Sequence, residues 1–318
     1  MQRAGVRAME AVKKVLVYLS EGNSVPQCAR FVQSITGHFP GCHDDQVEVG
    51  CTLERNCFVV SAGEREGATR VLLRRAPFCS FKHLSLSEAA TLPQDVQNRG
   101  VDVGVAILLQ TADQKVLLTR RAAGLRIFPN VWVPPGGHVE LGEELLEAGL
   151  RELKEETGLA LTPEEFSSTL LGLWESAYPP MLTRGLPRRH HIVIYMLLRT
   201  CHTHLQLQSR LHPDPGEVSG CVWLDTALVR AIVSAVDGSE HSGTAPPDLP
   251  LTVSMSEVSL EGSVSQSALP VSVLLGRAPA WGEDVERVST GTKFALELWL
   301  DTPSTQESCR SDTPLDAP

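Results

Sequence analysis

Glutamate side chains that could bind a divalent cation cluster within residues 137–159, a stretch that reads GHVELGEELLEAGLRELKEETGL. If this stretch is helical, Glu152, Glu155 and Glu156 share one face, because successive residues turn by about 100° around the axis. Three crowded carboxylates repel one another, and a hard cation such as Mg²⁺ or Mn²⁺ relieves that repulsion. The pattern therefore predicts an oxygen-liganded metal site. The alternative is a solvated acidic face that basic neighbours on the helix balance.

The helix that carries these carboxylates is predicted for residues 143–157. Leu146, Leu150 and Leu153 form a separate stripe, which should face a core. Gly158 follows, and glycine favours the left-handed conformation in which many helices end. The sequence thus predicts an amphipathic helix with one apolar and one acidic face.

Residues 99–236 form the most regular part of the sequence. A hairpin is predicted across residues 111–114, and a Pro- and Gly-rich turn at 132–137 leads into the acidic helix. The later elements are predicted strands at 170–175, 192–199 and 222–224, followed by a helix that Asp225 caps. We interpret this region as one domain.

The sequence pattern of the two flanks is less regular than that of this domain. Residues 1–98 are predicted to form a small α+β extension with several short strands and a helix that Ser85 and Glu88 open as a capping box. Residues 237–318 begin with a linker rich in Gly, Ser and Pro, then regain weak structure, and end in a tail at 301–318 that we expect to be disordered.

Composition excludes several classes of protein. The chain has 318 residues and a net charge of −10, so it lacks the global basic surface that DNA binding needs, and no DNA partner is expected. It has no apolar run as long as a membrane span and no secretory signal, which predicts an intracellular, cytoplasmic protein without a membrane partner. The eight cysteines include no CxxC pair and are expected to be free thiols. A zinc site among the cysteines and histidines of residues 38–57 is the less favoured alternative.

The acidic helix and its flanks match the pattern G-x5-E-x7-R-E-U-x-E-E-x-G-U, where U is aliphatic, at all nine defined positions. A chance match in such a chain is on the order of one in a million or rarer. The region 99–236 therefore resembles the Nudix hydrolase family. This resemblance implies an α/β/α sandwich with a mixed sheet, and metal-dependent hydrolysis of a nucleoside diphosphate linked to another moiety X.

Roles for the pattern's residues follow from the resemblance. Glu152, Glu155 and Glu156 would be metal ligands together with the backbone carbonyl of Gly137. Arg151 would orient a catalytic glutamate through a bidentate pair. Either Glu155 or Glu152 would assist as the base, and the sequence leaves this choice open. The implied cofactor is Mg²⁺ or Mn²⁺.

A further acid and a basic stretch are candidates for the same site. Glu217 precedes the last strand of the domain, where many Nudix proteins place a glutamate that reaches the metal; the alternative is an ordinary loop carboxylate. Basic residues could grip phosphates or an RNA backbone, or could simply be solvated. The candidate substrate-binding residues are Arg121, Arg126, Arg188, Arg189 and His190. Candidates for stacking on a base are Trp132, Trp174, Tyr178 and Trp223.

Several substrates and one other function class remain open. Phosphate-gripping and stacking groups favour 5′-capped RNA or capped nucleotides as the substrate. The run LLTRRAAGLR at 117–126 resembles half of the coenzyme A pyrophosphatase signature, but Ala122, Asn130 and Pro134 depart from it. Coenzyme A, dinucleotides and nucleoside sugars are therefore alternatives, as is an inactive Nudix domain that only binds. An interaction role of the flanks and the oligomeric state are also left open.

Overall fold

The computed structural model describes residues 14–238 and 248–303. Within them the fourteen strands are β1 (Leu16–Glu21), β2 (Gln27–Cys28), β3 (Gln46–Glu54), β4 (Cys57–Ala62), β5 (Thr69–Arg75), β6 (Asp102–Gln110), β7 (Val116–Arg121), β8 (Trp132–Val133), β9 (Gly136–His138), β10 (Phe166–Tyr178), β11 (Arg189–Thr200), β12 (Val218–Leu224), β13 (Thr252–Val258) and β14 (Val264–Pro270). The α-helices are α1 (Ser80–His83), α2 (Leu86–Thr91), α3 (Gln94–Gln97), α4 (Leu145–Thr157), α5 (His204–Gln208), α6 (Thr226–Ser234), α7 (Val271–Leu274) and α8 (Thr290–Asp301). None of these helices is long and apolar enough to span a membrane.

All the described strands belong to one mixed sheet. Its order is β14-β13-β12-β7-β6-β11-β10-β5-β3-β4-β1-β2, and the short strands β8 and β9 pair with β7 and β6. Strand β6 is parallel to β11, which forms a long antiparallel pair with β10. Strand β1 returns to β6 through a single residue pair. The sheet therefore runs from the N-terminal flank, through the central region, to the C-terminal flank.

Strand β6 lies at the centre of a sandwich because both of its faces are apolar. Val105 and Ile107 point to one face and join a core with Leu153 of α4. Leu108 points to the other face and joins a second core with Leu296 of α8. Alternating side chains of one buried strand thus contact helices on both sides, as expected when a sheet is covered on both faces. The predicted α/β/α sandwich with a mixed sheet is confirmed.

Helix α4 confirms the predicted acidic helix, although it begins at Leu145 rather than 143. Gly158 ends it with a φ of 76°, in the left-handed region. Within the helix, a Cβ on Gly149 would overlap with Cδ1 of Ile107, so this glycine allows the helix to approach β6 closely. The close contact offsets the low helix propensity of glycine, which costs roughly 1 kcal/mol relative to alanine.

The flanks contribute more ordered structure than their composition indicates. In the N-terminal flank, Ser85 and Glu88 form the predicted capping box at α2. In the C-terminal flank, β13 pairs with β12, and α8 buries Phe294 and Leu296 in the core. The segment that was expected to be weakly structured therefore forms a hairpin, β13–β14, and two helices, α7 and α8, within its described residues. Most of the predicted linker and most of the predicted tail lie outside the described residues, and the division of the chain at 98 and 236 stays a prediction.

Candidate active site

Arg151 holds the acidic face of α4 together. Its Nε and Nη2 atoms donate to the two carboxylate oxygens of Glu143, at 2.6 and 3.0 Å. Its Nη1 atom donates to Glu152 at 2.8 Å and to Glu155 at 3.0 Å. Nη2 also donates to the His138 carbonyl at 3.0 Å. The bidentate partner is therefore Glu143, while each of the two predicted catalytic glutamates receives one bond. Hydrogen bonds to these carboxylates raise the pKa of Arg151, which keeps it charged.

Glu152 lies directly against the backbone of Gly137. A Cβ on Gly137 would overlap with Oε1 of Glu152, so only glycine leaves room for this carboxylate. Burial raises the pKa of Glu152, and the like charges of Glu155 and Glu217 add to that effect. The structure thus joins three of the predicted acids and the predicted glycine in one place.

Glu156 is the buried member of the set, with a relative exposure of 5%. Burial raises its pKa to about 8, and the nearby charges of Glu217 and Glu152 act in the same direction. The Arg121 guanidinium and a hydrogen bond from the Gly136 backbone oppose this effect. A buried carboxylate with two acidic neighbours is costly to ionise unless positive charge compensates it.

Glu217 reaches this site from the loop before β12. The side chain is exposed, and its backbone carbonyl accepts a hydrogen bond from Ala122 at 2.8 Å, which anchors the loop to the end of β7. Its charge acts on Glu152, Glu156 and Arg121. The charge of Glu217 therefore acts on the site, and its role as a further acid of the metal site stays a prediction.

These residues fit a hard divalent cation. The donor groups of Glu152, Glu155, Glu156 and Glu217 are carboxylates, which are oxygen ligands of the kind that Mg²⁺ and Mn²⁺ prefer. The negative charge of Glu217 contributes to the raised pKa values of both Glu152 and Glu156, so the three acids disfavour one another's charged forms. A bound cation removes that penalty, and the arrangement therefore favours positive charge between the acids.

A cavity of about 250 Å³ has Gly136 and Gly137, whose backbone the acids contact, in its wall. Gly136, Gly137 and Arg121 line the end nearest to them, whereas most of the remaining wall is apolar. Its aromatic walls come from Phe78, Phe128, Trp174 and Tyr195. A cavity whose wall includes a guanidinium and several aromatic rings suits a nucleotide, because those groups match its phosphates and its base.

The predicted substrate-binding residues have different outcomes. Arg121 lines the cavity, whereas Arg126 is exposed in the loop after β7 and does not line it. Arg188 is also exposed, with its guanidinium 5.5 Å from the ring centre of Tyr178, and Arg189 is half-buried. We therefore retain Arg121 as a candidate contact, whereas Arg126, Arg188 and Arg189 do not line the cavity.

The prediction for His190 is wrong. Its ring is buried, with an exposure of 1%, and both nitrogens are engaged, Nδ1 with the Phe31 carbonyl at 2.7 Å and Nε2 with Glu175 at 3.2 Å. It stacks on Phe81 at 3.6 Å between ring centres. Because side chains alternate along β11, His190 faces the core while its neighbour His191 faces the cavity. The basic pattern alone did not reveal this alternation.

Of the four predicted stacking candidates, Trp174 lines the cavity. Trp132 is fully buried and donates to Glu286 at 2.9 Å, so it is a core residue. Trp223 donates to Gln208 at 2.8 Å, and Tyr178 packs edge-on against Phe128. The structure therefore supports one tryptophan as a base-stacking residue.

Sequence reasoning missed the contribution of both flanks to the cavity wall. Phe78 comes from the N-terminal flank, and Arg287 and Thr290 come from the C-terminal flank. His138 also lines the cavity. It was not predicted as a site residue, even though it immediately follows Gly137, a predicted metal ligand. No motif marks these positions, and the one available signal was the apolar run at 294–300, which indicated a packed element nearby.

Comparisons with known proteins agree with this geometry. A model of the NUDIX domain matches residues 99–239. The chain is 63% identical to the m7GpppN-mRNA hydrolase NUDT17 of Danio rerio, over 92% of this chain and 97% of that protein. The chain belongs to the Nudix hydrolase family. A Homo sapiens protein of the same name is 47% identical, over 95% of this Nudix chain and 92% of its own.

Among solved structures, the chain is similar to a MutT/nudix family protein from Enterococcus faecalis. It is 19% identical, with a TM-score of 0.35, over 70% of this chain and 71% of its own. Because the NUDIX model matches residues 99–239, the pattern on α4 is the Nudix box of a family member, and Nudix hydrolases depend on divalent metals. The predicted dependence on a divalent cation is therefore supported.

Proposed function

We propose that this chain hydrolyses the phosphate bridge of m7GpppN-capped RNA, with Mg²⁺ or Mn²⁺ as its cofactor. The relatives that cover almost all of the chain carry that activity in their names. The proposed partner is accordingly the 5′ end of a capped RNA or a capped nucleotide, and the proposed location is the cell interior, where such RNA occurs. The activity is hydrolysis of a phosphoric anhydride bond by water.

The observation that carries this proposal is the junction between the Nudix box and the cavity. Glu152 and Glu156 meet the Gly136–Gly137 backbone, which forms one end of the aromatic cavity. A ligand with its base in the cavity would therefore bring its phosphates to this glycine backbone, beside which the carboxylates lie. This is the order of groups in a cap, where a base, a ribose and three phosphates follow one another.

Glu152, Glu155, Glu156 and the Gly137 carbonyl would hold the cation, with Glu217 as a further carboxylate from the opposite loop. When bound, the cation neutralises phosphate charge and lowers the pKa of water. Arg151 fixes the carboxylates of Glu152 and Glu155 in one orientation, so that their positions are set before substrate binds.

One of these two glutamates would accept the proton of the attacking water. Glu155 is the more exposed, with a side-chain exposure of 58% against 13% for Glu152. Solvent access lets Glu155 release the proton afterwards, whereas Glu152 is held against Gly137. We therefore favour Glu155 as the base.

As the deprotonated water forms a bond to phosphorus, the anhydride bond to the leaving phosphate breaks. That phosphate leaves with the bonding electron pair.

The aromatic wall would bind the methylated base. A 7-methylguanine ring carries a positive charge, and such a ring stacks on aromatic faces more strongly than a neutral base does. Trp174 and Phe128 provide those faces within the cavity. Arg121, at the acid end, would contact a phosphate through its guanidinium.

A substrate panel with the full chain tests this proposal. The panel holds m7GpppN-capped RNA, unmethylated GpppN-capped RNA, coenzyme A, ADP-ribose, NADH and a dinucleoside polyphosphate, each with Mg²⁺ or Mn²⁺. We expect metal-dependent cleavage of the capped RNA, identified by product mass, and its loss in Glu155→Gln. Faster cleavage of coenzyme A or a dinucleotide would replace the proposed substrate. Binding without cleavage by the folded protein would favour an inactive binding module.

A further inference from the structure

A second group of metal-ligating side chains lies on the opposite face of the sheet from the Nudix helix. Asp102 on β6 and His191 on β11 are register partners, and His138 on β9 is the register partner of Gly104. Residues two apart on a strand share a face, so Asp102 and Gly104 point the same way. The three side chains therefore meet on one face, and among the described residues they are the one group of three or more histidine, cysteine or acidic side chains whose ligand atoms lie within 4.8 Å of one another.

The Nudix carboxylates belong to the other face. Gly137, against which Glu152 lies, is the register partner of Val105, whose side chain packs in the core beside α4. Because the strand alternates, His138 turns away from Glu152 and into the cavity together with His191. The two groups of ligands are thus neighbours along β9 but are separated by the sheet.

Three nitrogen-bearing side chains of the described residues surround the Asp102 carboxylate. Its Oδ2 atom is 3.8 Å from Nε2 of His138, from Nε2 of His191 and from Nζ of Lys14. A hydrogen bond between such atoms would be about 2.7–3.2 Å long, so all three distances leave space between the groups. The carboxylate is half-buried, with a side-chain exposure of 20%, so this open arrangement is not that of a solvated surface acid.

We propose that Asp102, His138 and His191 bind a second divalent cation, zinc in preference to magnesium, at the cavity wall. This site is separate from the Nudix site, and its occupancy does not depend on the proposed hydrolysis. Two imidazole nitrogens and one carboxylate are a ligand set that suits Zn²⁺, whereas Mg²⁺ prefers oxygen ligands alone. Three protein ligands leave a fourth position open, and that position faces the cavity.

The distances require little movement to accommodate the ion. The three ligand atoms lie within 4.8 Å of one another. Tetrahedral zinc with bonds of about 2.0–2.1 Å places its ligand atoms about 3.4 Å apart. Small rotations of the histidine rings provide this contraction, since the His138 side chain is 46% exposed.

Lys14 is the competitor for this position. Its side chain is 43% exposed, and its ammonium group lies beside the same carboxylate oxygen that the cation would need. A bound cation would displace this flexible side chain into solvent. Removal of Lys14 should therefore tighten zinc binding, whereas removal of any of the three ligands should weaken it.

Zinc and cobalt binding to the full chain tests the proposal, in the presence of excess Mg²⁺ to occupy the Nudix site. We expect one equivalent of Zn²⁺ by competition with a chromophoric chelator, and a visible Co²⁺ spectrum typical of four or five ligands. His191→Gln and Asp102→Asn should each weaken binding at least about tenfold. Lys14→Met should strengthen it, and His138→Gln serves as a ligand variant at a more exposed position if either of the first two fails to fold.

Two control variants distinguish zinc at this site from zinc bound elsewhere on the chain. Glu152→Gln should leave zinc binding unchanged, because it alters only the Nudix site. His43→Gln should also leave it unchanged, since that ring is 88% exposed and belongs to the Cys- and His-containing segment 38–57. Equal zinc affinity in wild type, His191→Gln and Asp102→Asn would overturn the proposal. So would the lack of stoichiometric binding by the folded wild type, or loss of binding in His43→Gln.

Discussion

The carboxylate of Glu152 occupies the place where a side chain on Gly137 would stand, so that a Cβ on this glycine would overlap with Oε1. The first glycine of the Nudix box is therefore tied by direct contact to a glutamate in the middle of helix α4. Arg151 holds that glutamate from the other side at 2.8 Å. The contact explains in steric terms why the pattern pairs these residue types.

Gly137→Ala tests this contact. We expect the methyl group to push Glu152 out of place and to lower kcat about a hundredfold, because small displacements of a catalytic group have large effects. Turnover of capped RNA and Mg²⁺ binding should both be measured. Gly124→Ala is the matched control, since a Cβ there has nothing within 4 Å. Equal turnover in the two variants would contradict the steric account.

Arg151→Lys tests the role of the guanidinium as a shared donor. Lysine keeps the positive charge but cannot bind Glu143 through two parallel bonds while also reaching Glu152 and Glu155. We expect kcat to fall by roughly tenfold to a hundredfold with a smaller change in KM. Arg70→Lys, at an exposed surface pair, should have wild-type kinetics. A wild-type kcat in Arg151→Lys would show that charge alone is sufficient.

Glu156→Gln should stabilise the protein in the absence of metal. The pKa of Glu156 is raised from 4.5 to about 8 by burial, so the folded protein keeps this proton to a higher pH than the unfolded chain does. Its contribution to stability is therefore present below about pH 4.5 and is lost as the pH rises through about 8. At pH 8, the substitution should raise the free energy of unfolding by on the order of 2 kcal/mol.

Thermal unfolding at pH 8, with and without Mg²⁺, measures this effect. Mg²⁺ should raise the Tm of the wild type, because a ligand that binds only the folded state stabilises it. The same addition should have a much smaller effect on Glu156→Gln. A variant that is less stable than wild type without metal would mean that the buried carboxylate is compensated by groups other than a cation.

Phe78→Ala tests whether the N-terminal flank takes part in substrate binding. Phe78 lines the cavity but is far in sequence from the Nudix box. Loss of its ring should raise the KM for capped RNA several-fold, since stacking contributes about 1–3 kcal/mol per base, with a smaller change in kcat. Leu86→Ala is the control from the same flank, at an exposure of 91%. An unchanged KM in Phe78→Ala would mean that capped RNA does not bind against this part of the cavity wall.

The acid cluster could be predicted from the sequence because it lies mostly on one helix, where spacing fixes direction. Glu152, Glu155 and Glu156 were found in this way, and the terminating Gly158 has the expected left-handed conformation. The cavity was less predictable because its walls come from strands and loops distant in sequence. His190 shows the limit most clearly. Because side chains alternate along a strand, His190 faces the core whereas the next residue faces the cavity, and the run of basic residues does not indicate which of them faces which side.

The ordered C-terminal flank was underestimated for a related reason. Its strand β13 has polar residues on its exposed face, so its apolar signal is weak in the sequence. Its pairing with β12 and the burial of α8 depend on contacts with the central region, which composition does not encode. Tertiary packing, rather than local propensity, gives this segment its structure.

The most direct test of the central claim compares Glu152→Gln with Glu147→Gln on m7GpppN-capped RNA. Both changes lie on α4, but Glu147 accepts from the Glu144 backbone at 3.0 Å in a capping interaction that glutamine can retain. With Mg²⁺ and a label in the cap phosphates, we predict that Glu147→Gln cleaves like wild type and that Glu152→Gln is at least about a hundredfold slower. Equal cleavage by both folded variants would contradict the assignment of the Nudix carboxylates as the hydrolytic site.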